Sequence, residues 1–294
     1  MNATRPTAAA PGGREGVARP RVDARGEVLL TAEDIGISFG GLRALDGVGF
    51  AARAGEVLAI IGPNGAGKTT LFNIVSGLYR AGAGRILLDG RDVTQAPPHR
   101  LAALGLSRTF QNLQVFFRMT AAENVMAGRH LHEPSGLFAD LFRLPAARRA
   151  NTATRRAALA LLAEVGLADA ADRPAGSLPY GALKRLEIAR ALATGPRVLL
   201  LDEPAAGCNA VETEEIDRLI AQVAARGVAV VLIEHDMKLV MRISRHVVVL
   251  NQGRMLAEGT PEQVRSDPEV VAAYLGTHGV AEASRAGARG DQHA

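Results

Sequence analysis

A short glycine-rich stretch, residues 62–70, decides how this chain folds. It consists of Gly62, Pro63, Asn64, Gly65, Ala66, Gly67, Lys68, Thr69 and Thr70. The apolar, partly β-branched run Val57–Ile61 before it is typical of a buried strand. The residues after it, 71–75, are apolar at roughly helical spacing, and Gly77 can end that helix. The pattern G-x-x-x-x-G-K-T between a strand and a helix indicates a phosphate-binding loop.

The residue types in this loop suit a nucleoside triphosphate. Because glycine lacks a Cβ, Gly62, Gly65 and Gly67 let the backbone wrap closely around a phosphate with its N–H groups pointing inward. The helix that begins after Gly67 adds the positive end of its dipole. Lys68 supplies charge for the β- and γ-phosphates, and the Thr69 hydroxyl is placed to ligate Mg²⁺. The alternative, a glycine-rich turn beside a surface lysine, does not explain why every motif position and both flanks match.

Composition indicates an ordinary globular protein. The chain has 294 residues, of which 48% are hydrophobic and 22% are charged, as in soluble domains. No apolar run approaches the roughly 18 residues needed to cross a bilayer. The N-terminus also lacks the apolar region of a secretory signal. We therefore expect a cytoplasmic protein that reaches the membrane only through a partner.

The net charge of +4 is weak evidence for nucleic-acid binding. Most of the excess lies in residues 1–26, which are rich in Ala, Pro, Gly and Arg and show no periodicity. We interpret this segment as a disordered leader and residues 277–294 as a similar tail. The body between them is close to neutral, so we expect no nucleic-acid partner.

The body of the chain, residues 27–276, divides by pattern. Strand-like runs with glycine turns occupy residues 27–31, 36–39, 48–51, 57–61 and 85–88. From residue 113 they give way to helical stretches, clearest at 120–131 and 146–166. Strands and helices alternate after residue 182, and a hairpin and a final helix at 261–276 end the body. We expect an α/β core with a mostly parallel sheet, formed by residues 27–112 and 183–276, around a helical subdomain at 113–182.

Two acidic residues follow a second buried strand. The apolar run 198–201 leads directly into Asp202 and Glu203, and ligands of open α/β sheets bind at that edge. We expect Asp202 to hold Mg²⁺ through water or Thr69, and Glu203 to polarise the water that attacks the γ-phosphate. Capping of the next helix is the alternative role for the two acids.

A neighbouring strand repeats this arrangement. The apolar run 230–233 ends in Glu234 and His235. A histidine at the carboxyl edge of a sheet could donate to the γ-phosphate and report its presence. A purely structural histidine is the alternative.

Taken together, residues 27–276 resemble the ATP-binding cassette (ABC) ATPases. The family's order is a phosphate loop, a glutamine loop, a signature segment, an acidic pair and a switch histidine, which correspond here to 62–70, Gln111, 178–182, Asp202 with Glu203, and His235. The resemblance implies a P-loop NTPase core of RecA-like type, an N-terminal antiparallel β subdomain and an inserted α-helical subdomain. It also implies ATP and Mg²⁺ as cofactors. The catalytic residues would be Glu203, His235 and Gln111, and the metal would be held by Thr69, Gln111 and Asp202.

The resemblance also implies how nucleotide is bound. Phe39 matches the family's aromatic that stacks on adenine, with a core phenylalanine as the alternative. In the family, two cassettes sandwich two ATP molecules, each between the phosphate loop of one subunit and the signature of the other. We therefore expect a second ABC ATPase subunit as partner, in a homodimer or heterodimer, with Gly181 contacting the opposing nucleotide.

The signature departs from the family pattern Leu-Ser-Gly-Gly-Gln, in which this branch often has Tyr for the first Gly. Residues 178–182 are Leu, Pro, Tyr, Gly and Ala. Pro179 removes a serine hydroxyl and a backbone N–H, and Ala182 removes an amide side chain. Gly181 and the following helix dipole remain. We expect slow hydrolysis at the site that this signature completes.

Further strings resemble the larger ATPase subunit of high-affinity branched-chain amino-acid importers. They lie at residues 185–192, 202–207, 233–241, 258–264, 267–268 and 273–276, and an extended helical insertion near 131–160 also suits that subunit. The resemblance implies transmembrane permease subunits as partners on the inner face of the membrane, and indirectly a periplasmic or lipid-anchored solute-binding protein. ABC systems for urea, lipid or lipopolysaccharide, and a soluble ABC protein acting on nucleic acid or ribosomes, are the alternatives.

The permease contact would lie near the glutamine loop. A groove between the core and the helical subdomain would receive the permease's coupling helix. The aromatic and methionine residues there make the region apolar: Phe110, Phe116, Phe117 and Met119. Ordinary core packing is the alternative explanation for them.

Overall fold

The computed structural model describes residues 26–130 and 145–274, with the backbone alone for 145–150. The strands are β1 (Val28–Phe39), β2 (Leu42–Arg53), β3 (Val57–Ile61), β4 (Ala83–Leu88), β5 (Arg91–Asp92), β6 (Leu106–Arg108), β7 (Val198–Asp202), β8 (Ala229–Ile233), β9 (His246–Asn251) and β10 (Arg254–Gly259). The helices are α1 (Lys68–Val75), α2 (Pro98–Ala103), α3 (Ala121–Gly128), α4 (Pro145–Glu164), α5 (Tyr180–Leu192), α6 (Ala210–Ala225), α7 (Met237–Ile243) and α8 (Pro261–Ser266).

The N-terminal part forms an antiparallel sheet in the order β2-β1-β4-β5. The runs predicted as separate strands at 27–31 and 36–39 are one strand, β1, which corrects that prediction. The register of β1 on β2 shifts between Ala32 and Ile35, and Asp34 between them has φ 51°. Such a bulge bends a strand without ending it. The expected antiparallel β subdomain is confirmed.

The second sheet has the order β10-β9-β3-β8-β7-β6. Neighbours from β9 to β6 pair in parallel, and β10 runs antiparallel to β9. Every residue of β3, β7 and β8 is buried, as expected where helices cover both faces of a parallel sheet. The predicted α/β core is confirmed.

Helices follow β6 and precede β7, where a helical subdomain was expected. Helix α3 begins with a capping box between Thr120 and Glu123 and packs against α4 and α5. The predicted helices at 120–131 and 146–166 correspond to α3 and α4. Part of the expected insertion, 131–144, lies outside the described residues, as do positions 1–25 of the leader and the tail. Within the described ranges, no helix is long and apolar enough to cross a membrane.

The last predicted helix, 261–276, is interrupted, so that prediction was wrong. Helix α8 ends at Ser266, and a separate helical segment covers 268–274. Asp267 lies between them, and its carboxylate accepts the N–H of Glu269 at 2.8 Å, as an N-cap does. Pro268 has no N–H with which to continue the first helix.

Candidate active site

The phosphate loop connects β3 to α1, as predicted. Gly62, Gly65 and Gly67 have φ of 147°, 80° and 101°, a region that disfavours other residues. A Cβ at Gly62 would lie 2.1 Å from the carbonyl oxygen of Leu250, and one at Gly67 would lie 2.7 Å from Leu45 Cδ2. The loop is therefore glycine-rich both for its conformation and for its packing against the neighbouring chain segments.

Lys68 folds back onto this loop. Its Nζ donates to the carbonyl oxygens of Gly62 at 2.7 Å and Pro63 at 3.1 Å, and the residue is 8% exposed. Burial lowers the pKa of Lys68, whereas the charges of Glu203 and Asp202 raise it. Thr69, next in the helix, is exposed. The ammonium is thus positioned at the loop by backbone carbonyl groups.

Sheet register brings the predicted residues to one edge. Ile233 of β8 pairs with Ile60 of β3 on one side and with Asp202 of β7 on the other. The three strands therefore end together, and Gly62, Glu203 and Glu234 each follow at or just beyond that edge. This is the edge at which open α/β sheets bind ligands.

The three residues expected to be catalytic lie near one another. Glu203 has φ 49°, and its backbone N–H donates to the carbonyl oxygen of Ile233 at 3.0 Å. Gln111 Nε2 donates to Glu203 Oε2 at 3.4 Å, and His235 Nδ1 lies 3.8 Å from Glu203 Oε1. A left-handed conformation at a non-glycine residue costs about 1–3 kcal/mol and persists where the surrounding contacts hold it. The bond to β8 holds Glu203 in this conformation.

Asp202 lies deeper and has a partner that the sequence analysis missed. The residue is 3% exposed, and its Oδ2 accepts from Arg108 Nη2 at 2.9 Å. Burial raises the pKa of Asp202, and the Arg108 guanidinium lowers it. The available signal was a basic residue at the end of the short strand that leads to Gln111.

Glu234 was also missed. It is 1% exposed, and its carboxylate accepts the backbone N–H groups of His235 at 3.1 Å and Ala205 at 3.4 Å. Burial raises the pKa of Glu234, although these hydrogen bonds oppose the effect. Glu234 therefore links the segments that follow β7 and β8. Its position directly after a buried strand, like that of Glu203, was the available signal.

Phe39 lies at the surface at the end of β1. It is 47% exposed and contacts Tyr79 in a T-shaped arrangement, with ring centroids 5.5 Å apart and planes at 69°. The core-packing alternative for Phe39 is therefore wrong. An exposed aromatic face is what stacking on a base requires.

The signature segment begins α5. Pro179 is the N-cap residue, and proline has no side-chain group that could cap the helix. The backbone N–H of Gly181 donates to Glu212 Oε1 of α6 at 3.2 Å. Ala182 is 6% exposed, inside the core. The Gly181 amide expected to meet an opposing nucleotide thus already contacts a carboxylate of its own chain.

The donor set fits Mg²⁺ that arrives with a nucleotide. In the part of the chain that the structure describes, no group of three or more His, Cys, Asp or Glu could hold a metal ion. The residues expected at the metal, Thr69, Gln111 and Asp202, offer hydroxyl, amide and carboxylate oxygens. Mg²⁺ prefers oxygen ligands and is commonly bound through one or two carboxylates together with substrate phosphates.

A glycine loop between a buried parallel strand and a helix, faced by acids from neighbouring strands, defines the class of P-loop NTPases. Within that class, residues 45–206 match the ABC transporter family. Residues 254–280 match a second family, described as branched-chain amino acid ATP-binding cassette transporter. The chain belongs to the ABC transporter family of ATP-binding proteins, which confirms the resemblance found in its motifs.

Individual relatives agree with this assignment. The chain is 49% identical over 249 residues to the high-affinity branched-chain amino acid transport ATP-binding protein BraF of Pseudomonas aeruginosa, covering 84% of this chain and 98% of the relative. It is 45% identical over 249 residues to LivG of Escherichia coli, with the same coverage. Among solved structures, the ADP conformation of MJ1267, an ATP-binding cassette of an ABC transporter, is 34% identical with a TM-score of 0.75, covering 85% of this chain and 99% of that one.

Proposed function

We propose that this chain is the ATP-hydrolysing subunit of a membrane importer for branched-chain amino acids. The observation that carries the proposal is the match to 98% of BraF at 49% identity. The match of residues 254–280 to the branched-chain family supports the same branch, because that segment lies outside the nucleotide-binding motifs.

ATP binds with its phosphates on the loop formed by residues 62–70. Phosphate oxygens replace the carbonyl oxygens of Gly62 and Pro63 as partners of the Lys68 ammonium, and the N–H groups at the start of α1 face the same phosphates. The adenine stacks on the exposed ring of Phe39. The loop backbone and the Lys68 ammonium therefore contact the same phosphates.

Hydrolysis uses the constellation around Glu203. Its carboxylate accepts a proton from the water whose oxygen bonds to the γ-phosphorus, while the bond from that phosphorus to the β–γ bridging oxygen breaks and ADP leaves. Gln111 orients the carboxylate, and His235 donates to the γ-phosphate. Thr69, Asp202 and Gln111 would hold Mg²⁺ together with the phosphates. When bound, Mg²⁺ neutralises negative charge on the β- and γ-phosphates.

The partners are a second ABC ATPase subunit and transmembrane permease subunits, which hold the chain at the inner face of the membrane. An apolar surface near Gln111 supports the permease contact. Phe110, Phe116 and Phe117 are 38%, 52% and 51% exposed, so core packing does not explain them, whereas Met119 is half-buried. Exposed aromatic residues of this kind are enriched at protein interfaces.

Uptake by cells tests the proposal. A strain without its own branched-chain amino-acid ATPase receives this chain with its permease and binding-protein genes, and uptake of labelled leucine, isoleucine, valine and urea is measured. We expect uptake of the three amino acids, reduced at least about 100-fold by Glu203→Gln with ATP binding retained. Urea uptake without leucine uptake would assign another ABC system. Recovery of the chain with ribosomes instead of membranes would overturn transport altogether.

A further inference from the structure

Arg108 lies at the centre of a buried polar network beside the proposed metal site. Its side chain is 6% exposed. One end of the guanidinium, Nη2, donates to Asp202 Oδ2 at 2.9 Å. The other, Nη1, donates to Asn73 Oδ1 at 2.7 Å and to Ser76 Oγ at 2.9 Å. The two ends of the guanidinium thus bind residues from two elements, β7 and the C-terminal end of α1.

The guanidinium is held on its remaining sides as well. It lies over the rings of Phe110 and Phe72, with its central carbon 4.9 Å and 5.6 Å from their centroids. Its Nε donates to the carbonyl oxygen of Thr109 at 3.3 Å. Thr109 Oγ1 in turn accepts the backbone N–H of Asp202 at 3.3 Å. The geometry of the Arg108–Asp202 pair is therefore closely restricted.

This network connects residues of α1 with residues of β6 and β7. Asn73 and Ser76 lie at the C-terminal end of α1, the helix that begins at the phosphate loop. Strand β3, which leads into that loop, is separated from β7 by β8. Arg108, at the end of the edge strand β6, therefore links the phosphate-loop helix to the strand that carries Asp202.

We propose that Arg108 is a positioning residue for the magnesium–nucleotide complex: it holds Asp202 by Oδ2 and leaves Oδ1 to the metal or its water. The inference rests on the proposed function. A carboxylate fixed by a planar fork loses little rotamer freedom when a metal binds, because the freedom is already restricted in the folded protein. Partners that orient metal ligands typically contribute about 10–100-fold to metal affinity.

The test compares nucleotide binding with and without Mg²⁺. Calorimetry measures the Kd for ADP in excess Mg²⁺ and in EDTA for the full chain and for Arg108→Met. We expect the tightening by Mg²⁺ to fall about tenfold or more in the variant while the Kd in EDTA stays unchanged. For Arg108→Lys we expect a tightening by Mg²⁺ between those of the wild type and Arg108→Met. An ammonium can pair with Asp202, but it lacks the planar fork that also reaches Asn73 and Ser76.

Arg242→Met is the matched control, since Arg242 of α7 forms a salt bridge with another buried aspartate, Asp217 of α6. We expect this variant to retain the wild-type effect of Mg²⁺. If Arg108→Met fails to fold, Arg108→Lys and Asn73→Ala are measured instead. We expect each of them to reduce the tightening of ADP binding by Mg²⁺, but by less than Arg108→Met would.

An unchanged Mg²⁺ effect in the Arg108 variants would overturn the inference, and so would a stronger one. The latter would mean that the guanidinium chiefly repels the metal. If Mg²⁺ does not tighten ADP binding to the wild type, this inference fails, whereas the proposed function fails only if uptake of the three amino acids is absent.

Discussion

The backbone N–H of Gly181 donates to Glu212 Oε1 at 3.2 Å, so the first turn of α5 already holds an anion of its own chain. Glu212 Oε2 accepts the N–H of Asn209 at 3.0 Å, closing the capping box of α6. A Cβ at position 181 would lie 2.5 Å from the carboxyl carbon of Glu212, so glycine is needed for the contact. A γ-phosphate that approaches this N–H from a second subunit must displace the carboxylate.

Glu212→Gln should therefore favour the ATP-bound dimer. Glutamine retains the capping bond, because either Glu or Gln serves at this position of a capping box, but it removes the competing charge. We expect the dimer with the partner ATPase subunit, measured by analytical ultracentrifugation in the Glu203→Gln background, to tighten about fivefold. The single amide oxygen of this glutamine stays on the Asn209 N–H, so the Gly181 N–H loses its acceptor within the chain. A hydrogen bond contributes about 1 kcal/mol net, which corresponds to that factor.

Asn209→Ala provides the control for this prediction. It removes the N-cap of α6 at a cost of about 1 kcal/mol in stability but leaves the Glu212 charge in place. The dimer affinity of this variant should equal that of the wild type. If Asn209→Ala tightens the dimer as much as Glu212→Gln does, loosening of α6 and not the charge is responsible.

Pro179→Ser should stabilise the protein and speed hydrolysis. A serine N-cap would accept an N–H of the first turn of α5, which stabilises a helix by about 1 kcal/mol. Its hydroxyl would also offer a hydrogen bond to the opposing γ-phosphate, and we expect hydrolysis at the site that this signature completes to rise about tenfold or more. Urea unfolding and ATPase assays of the dimer measure the two effects. Pro179→Ala restores only the backbone N–H, and an unchanged ATPase rate in Pro179→Ser would show the substitution to be silent.

Phe39→Ala should weaken ATP binding without much loss of stability. Stacking of a base on an aromatic ring contributes about 1–3 kcal/mol, so the Kd should rise about tenfold. Stability should change little because the ring is half exposed. Tyr79→Ala removes the contact between the two rings but keeps the Phe39 ring, and should shift the Kd less. Equal affinities for wild type and Phe39→Ala, measured by calorimetry, would place adenine elsewhere.

Glu187 makes stability depend on pH. It is 3% exposed, and burial raises its pKa above the ordinary 4.5, although the N–H groups of Gln114 and Phe110 and the charges of Lys184 and Arg190 act in the opposite direction. An acid with a raised pKa binds its proton more tightly when folded. Its charge therefore costs stability above the folded pKa, and the cost is relieved as pH falls through that value.

Glu187→Gln removes this charge and keeps an acceptor for Gln114. We expect the variant to have a higher free energy of unfolding than the wild type at about pH 8, with the difference shrinking as pH falls below the folded pKa. Denaturant unfolding of both proteins at several pH values measures this difference in the free energy of unfolding. A difference that stays constant with pH would show that the buried carboxylate does not titrate in this way.

Much of the fold could be predicted because its determinants are local. The phosphate loop follows from glycine spacing and a lysine, and β7 with its acids follows from an apolar run that ends in Asp202. The predicted element boundaries were wrong where the same local sequence was compatible with two structures. The polar residues around Asp34 were compatible with a strand end or with a bulge. Pro268 was predicted to lie within one helix, although it begins a second one.

The sequence by itself determined the class of protein, the nucleotide loop and the order of helices and strands, since backbone preference and side-chain periodicity act over a few residues. Only the tertiary structure decided which side chains meet. Arg108 and Asp202 are 94 positions apart, Gln114 and Glu187 are 73 apart, and Gly181 and Glu212 are 31 apart. These contacts depend on β6 lying beside β7 and on α5 packing against β6 and α6. That arrangement follows from burial of the whole core, and no short stretch of the chain specifies it.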